Sequence, residues 1–148
     1  MQNVNKVPIW FMRQAGRYLP EYMAIRKKEK NFLNLCLNPS LAAEISLQPI
    51  KRFDVDFIIL FCDILVIPFC LGQKVSFLKN HGPILDPIFT KEDIKFNKPE
   101  ENLKKISNVF KTIELLSRKK GNKNLIGFCG GAFTILNYMI EGGTSAKH

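Results

Sequence analysis

The sequence predicts an α/β fold built on parallel strands. Two short apolar runs, Asp56–Asp63 and Asn124–Cys129, have the length and near-continuous hydrophobicity of strands buried on both faces. Segments of helical period lie before, between and after these runs. A long connection separates the two, as a parallel crossover requires.

Residues 1–18 show no sustained periodicity and read as an arm. Pro20, at a first-turn position and followed by Glu21, opens a helix to about Lys30. Asn38-Pro39-Ser40 opens a second helix, with Leu41, Ala42, Ile45 and Phe53 on one face. Pro49 inside it should kink it, because proline removes a backbone donor and crowds the preceding turn. The first strand, Asp56–Asp63, carries a carboxylate at each end. Val75–Leu85 reads as a hairpin-like excursion around the turn cluster Asn80-His81-Gly82-Pro83. Thr90 with Asp93 forms a capping box for a short turn.

Pro99–Lys120 is the clearest helix, with Leu103, Ile106, Phe110, Ile113 and Leu116 as its apolar stripe and Gly121 as its stop. The second strand then leads through a Gly130-Gly131 elbow to a helix over Ala132–Glu141, ended by Gly142-Gly143. No repeat, low-complexity tract or linker divides the chain, so residues 1–148 read as one partial domain. Two main strands are too few for a complete doubly wound sheet or barrel. An eight-stranded α/β barrel takes about 250 residues.

Composition narrows the function classes. Hydrophobic residues at 46% and charged residues at 24% exclude wholesale disorder. The longest apolar stretch, Phe57–Cys62, falls far short of a membrane span. The first residues lack the layout of a secretory signal, and a cytoplasmic location with no membrane partner is expected. Cys36, Cys62, Cys70 and Cys129 form no CxxC pair, and only His81 and His148 accompany them. That spacing suits neither zinc nor a disulfide framework. Cys62 and Cys129 read as buried small hydrophobes. The net charge is +9, yet the lysines are scattered and no aromatic-interleaved basic stripe occurs. The charge therefore reads as solvated surface, and nucleic acid is not expected as a partner.

Residues 8–26 carry the most chemical information. Three of the five arginines, Arg13, Arg17 and Arg26, fall there. Arg13 and Arg17 bracket Gln14-Ala15-Gly16, behind an apolar lead-in of Ile9, Trp10, Phe11 and Met12. Two planar guanidinium forks beside a small flexible tripeptide suit bidentate binding of several carboxylates or phosphates. Gly16 lets the backbone turn or approach a ligand closely. Asp63 stands at the carboxyl end of the first strand, where α/β folds place catalysis, although an aspartate there can equally cap the next turn.

The block Met12-Arg13-Gln14-Ala15-Gly16-Arg17-Tyr18-Leu19-Pro20-Glu21-Tyr22 resembles the N-terminal signature of the uroporphyrinogen decarboxylase family. Leu41–Ile50 with its intrahelical proline, Leu71–Val75, Gly127–Gly130 and Tyr138–Gly143 are also similar to that family. The chain departs from the family pattern in Cys62, where a serine usually stands, and in Gly131-Ala132, where Ala-Pro is usual. Asn80-His81-Gly82 also replaces a Gly-Glu-Gly-like turn.

The resemblance covers the whole chain and roughly the first half of the family's length. It implies the N-terminal part of an incomplete (β/α)8 TIM barrel, in a truncated or split form that a complementary C-terminal half would complete. Serine and histidine positions later in the family have no counterpart here, so little independent activity is expected. The family's reaction is decarboxylation of the four acetate side chains of uroporphyrinogen III to coproporphyrinogen III, by an enzyme that is commonly a homodimer. Asp63, Arg13 and Arg17 would be catalytic. Arg13, Gln14, Ala15, Gly16, Arg17, Asp63 and Tyr138 would bind substrate. Protonation turns the pyrrole into its own electron sink, so the resemblance implies no cofactor and no metal. The competing expectations are a non-catalytic remnant or assembly fragment, a corrinoid-linked methyltransferase relative, and a basic nucleic-acid-binding module.

Overall fold

The computed structural model describes residues 7–78, 82–94 and 96–143. Three helices precede the first strand: α1 (Pro20–Lys28), α2 (Phe32–Leu37) and α3 (Pro39–Arg52). Pro20 occupies the first turn of α1, and Arg26, Lys27 and Lys28 face the negative end of its dipole. Helix α2 was not expected from periodicity. Its signal is local, since the Asn31 side chain accepts the Asn34 N–H at 3.2 Å and starts the turn. Asn38 repeats the device for α3, accepting from Leu41 N–H at 3.1 Å ahead of Pro39. Helix α3 runs through Pro49, which is buried. Phe53, expected on the apolar face of that helix, lies beyond its end and is exposed.

Strand β1 (Phe57–Ile59) pairs in parallel with β4 (Asn124–Ile126), placing Ile58 opposite Leu125. Both strands are shorter than the apolar runs that predict them. The ladder ends at Leu60, whose N–H reaches Ile126 O, and on the opposite edge the Phe61 N–H goes to the Ser46 hydroxyl at 2.8 Å. Ser46 in turn donates to Ala42 O at 2.7 Å, which ties the segment after β1 to α3. A short helix, α4 (Val66–Leu71), follows where sequence suggested only connection. Pro68 sits in its first turn, where the missing N–H is harmless, and Gly72 at φ 107° ends it. The main core packs α3 and α5 (Pro99–Lys119) against β1, through Leu33, Ala43, Leu47, Ile58, Leu60, Val109 and Leu116. Along α5 the buried row is Val109, Thr112 and Leu116, with Ile106 and Ile113 partly covered. Leu103 and Phe110 of the expected stripe are instead 61% and 49% exposed.

Between α4 and α5 lie the antiparallel strands β2 (Val75–Leu78) and β3 (Gly82–Leu85), then a 3₁₀ turn at Lys91–Asp93. The tip of that hairpin, residues 79–81 with His81, lies outside the described residues, as does His148. The capping box is present: the Asp93 carboxylate accepts from the Thr90 N–H and hydroxyl. Helix α6 (Ala132–Glu141) covers the hairpin through Ile135, Met139 and Leu85. Gly142 ends α6 at φ 75°, and its carbonyl accepts the Leu85 N–H at 2.8 Å. A Cβ there would lie 2.9 Å from the Leu85 carbonyl oxygen. Gly142→Ala should therefore cost about 1–3 kcal/mol, read as a lowered urea midpoint at unchanged slope. No described helix is long and apolar enough to cross a membrane.

Candidate functional site

The arm before α1 is held against β1 at two points. Ile9 donates to the Asp56 carboxylate at 2.7 Å and accepts the Asp56 N–H at 2.9 Å. Gln14, buried, donates from Nε2 to Phe57 O at 2.8 Å and accepts the Ile59 N–H at 3.1 Å. The Gln14 carbonyl also accepts the Tyr18 hydroxyl. Between the two pins Trp10, Phe11, Met12 and Arg13 are exposed, Met12 at 84%. Phe11 and Met12 are thus not core residues.

Met12, Arg13, Gln14 and Ala15 form one side of a cavity of about 490 Å³. Ile59 to Ile64, with Phe32 and Phe128, form the rest. Its volume is within the range of small-molecule sites. Asp63 follows the carboxyl end of β1 and Phe128 follows that of β4, the end at which parallel α/β sheets bind ligands. Phe32 lies edge-on to Phe61 at 5.7 Å and to Phe77 at 5.2 Å, giving the wall an aromatic backing.

The structure shows Asp63 as a turn cap that also faces the cavity. Its Oδ1 accepts the Leu65 N–H at 2.8 Å, starting the turn into α4, while the residue still lines the cavity. Burial raises the Asp63 carboxyl above its ordinary value, and the Leu65 N–H offsets this in part. Beside it, burial pushes the Cys62 thiol up to about 11, so the sulfur is protonated at neutral pH. Cys62 is half-buried and Cys129 exposed, so neither is the buried hydrophobe that the sequence suggested.

The cavity brings together Arg13, Gln14, Ala15 and Asp63, and leaves Gly16, Arg17 and Tyr138 outside its lining. Arg17 is exposed at the surface just ahead of α1. Tyr138 packs on the cluster of Leu65, Leu85, Ile135 and Met139. A Cβ on Gly16 would meet only the Tyr18 ring, at 3.8 Å, so the protein itself does not demand glycine there. Sequence reasoning missed Phe32 and Phe128. The signals were the Asn31 cap before Phe32 and the position of Phe128 just past the second strand. Among the described residues no cluster of three or more His, Cys, Asp or Glu could hold a metal ion.

Parallel strands with helices between them define the class, an α/β protein, and its cavity lies at the carboxyl ends of those strands. The uroporphyrinogen decarboxylase (URO-D) family profile matches residues 1–148, and the chain belongs to that family. It is 47% identical over 143 residues to the uroporphyrinogen decarboxylase of Rickettsia felis, covering 95% of this chain and 41% of the relative. Identity is 51% over 138 residues to that of Aliarcobacter butzleri, covering 91% of this chain and 40% of the relative. It is 43% over 145 residues to that of Rhodospirillum rubrum, covering 97% and 42%. The chain spans about two fifths of the length of these curated relatives. Among solved structures, a methyltransferase from Methanosarcina mazei superposes with a TM-score of 0.69 at 20% identity, over 93% of this chain and 41% of that one. That likeness speaks for the fold alone.

Proposed function

We propose that the cavity between the arm and β1 is one wall of a uroporphyrinogen decarboxylase site, on the first units of a (β/α)8 barrel. The observation that carries the reading is that Arg13 and Asp63 line one cavity at the carboxyl ends of β1 and β4. Arg13 binds a carboxylate of the porphyrinogen, with exposed Arg17 and partly buried Tyr138 serving side chains that extend beyond the cavity. Gln14, Ala15 and Gly16 carry the loop that presents Arg13. Asp63 accepts pyrrole N–H bonds and stabilises the ring cation.

In the reaction a proton adds to a pyrrole carbon beside the acetate-bearing one. The bond to the carboxylate breaks, CO2 leaves, and its electron pair neutralises the ring as an exocyclic methylene. The methylene carbon takes a proton to become methyl, and the ring carbon gives one back. Asp63, partly withdrawn from water, is placed to act electrostatically on the cation. Further barrel units, in cis or as a complementary half, would close the open side of the cavity. Helix α6 offers them an apolar face, with Phe133 at 85% exposure and Leu136 and Ile140 on the same side.

The test is binding of uroporphyrin, the stable oxidised octacarboxylate, followed by fluorescence, alongside anaerobic decarboxylation scored by carboxyl count. Arg13→Ala should weaken binding about tenfold or more, the size of one charge-assisted hydrogen-bonded contact. Unchanged affinity in that variant would remove Arg13 from the site.

A further inference from the structure

Gln14 differs from the residues beside it in that its side chain is spent within the protein. In a parallel ladder, one residue donates to the carbonyl of the residue before its partner and accepts from the N–H of the residue after it. The Gln14 amide makes this pair of bonds, with Phe57 O at 2.8 Å and Ile59 N–H at 3.1 Å. It therefore takes the place of a strand residue facing Ile58, on the edge of β1 opposite to β4. Gln14 is buried and the two bonds are partly so, which makes them worth more than at the open surface.

We infer that Gln14 is a positioning residue: its amide docks the arm as a one-residue surrogate strand and so aims Arg13 into the cavity beside Asp63. This rests on the porphyrinogen-site reading and deepens it. Arg13 is the adjacent residue, and the next fixed point on its other side is Ile9. Among the described residues, the exposed span between those two pins is held close to Arg13 by the Gln14 side chain, with the Tyr18 hydroxyl on the Gln14 carbonyl. Asp63 lies four residues past Ile59 on the same chain segment, so the clamp ties both flanks of the cavity to one strand.

The test compares wild type with Gln14→Met, which keeps length and loses both amide bonds, and Gln14→Ala, each alone and with Arg13→Ala. Two readouts need no ligand: hydrogen exchange at the Ile59 amide and ¹⁵N relaxation at the Arg13 amide. A third is affinity for uroporphyrin, with global stability followed by urea denaturation. Both Gln14 variants should speed Ile59 exchange about tenfold or more and increase Arg13 motion. They should weaken uroporphyrin binding about tenfold, and add little further loss in the Arg13→Ala background.

Unchanged Ile59 exchange would overturn the clamp. Affinity losses that add in full to Arg13→Ala would make Gln14 a ligand contact instead. Faster exchange with unchanged Arg13 motion and unchanged affinity would reduce it to a structural role. If wild type binds no uroporphyrin, the site reading fails, and the two ligand-free readouts still decide the clamp. If Gln14→Ala does not fold, Gln14→Met carries the comparison.

Discussion

Asp63→Asn is expected to lower porphyrinogen turnover by about 10²–10³-fold in the proposed site once further barrel units complete it, the usual effect of removing one preorganised electrostatic group from a water-poor site. The substitution should leave the fold intact. Asparagine keeps the Oδ1 acceptor that takes the Leu65 N–H at 2.8 Å, so the turn into α4 survives. Its effect on stability runs opposite to its effect on catalysis. Burial raises the Asp63 carboxyl, so the folded protein holds that proton more tightly than the unfolded chain. Between the ordinary value and the raised one the native state binds more protons, and stability falls as pH rises through that window. Asparagine cannot ionise. The variant should lack this part of the pH slope and be at least as stable as wild type at neutral pH. Urea denaturation at mildly acidic and neutral pH, beside the anaerobic carboxyl-count assay, measures both. A variant with full turnover would exclude Asp63 from the chemistry.

Leu116→Ala should destabilise the protein by about 2–5 kcal/mol, a large share of the roughly 5–15 kcal/mol available to a domain. Leu116 is 0% exposed and sits in the core cluster with Ile58, Leu60 and Val109, where α5 meets β1 and α3. Truncation leaves a cavity under the strand that carries the site. Phe110→Ala on the same helix should change stability by only about 0.5 kcal/mol, since Phe110 is 49% exposed. Two urea curves decide the matter through the shift in midpoint at constant slope. A large loss from Phe110→Ala would mean that its ring is covered in solution.

That contrast also shows how far the sequence could be read. Apolar residues at helical spacing marked α5 correctly, and proline and glycine marked its ends. Spacing alone could not tell which edge of a broad apolar stripe meets the sheet. The answer came from the packing of α5 on α3 and α4, which buries Val109, Thr112 and Leu116 and leaves Leu103 and Phe110 to water. The parallel pairing of the two apolar runs was legible from their continuity. Their true ends were not, because apolar residues continue past the last ladder bond, from Leu60 N–H to Ile126 O. Helices α2 and α4 are too short to show a period and are set by the Asn31 cap, the Asp63 turn and Gly72. At the site, Arg13, Gln14, Ala15 and Asp63 were legible as chemistry. The aromatic wall was invisible because Phe32, Phe61 and Phe128 come from three separate segments.

The arm that presents Arg13 also gives the small sheet a direction of growth. The outer edge of β1 is already hydrogen-bonded at the Ile58 position by Gln14, and Ile9 is tied in just before it. Strand β4 pairs only with β1 among the described residues, so its far edge still offers backbone donors and acceptors. A new strand can add past β4 without displacing anything, whereas the strand that closes a barrel against β1 meets an edge where Phe57 O and Ile59 N–H are already taken by Gln14. Ordered extension of the fold and unwanted edge-to-edge association therefore compete for the same strand. That makes β4 the place where a charge or a proline would most affect solubility.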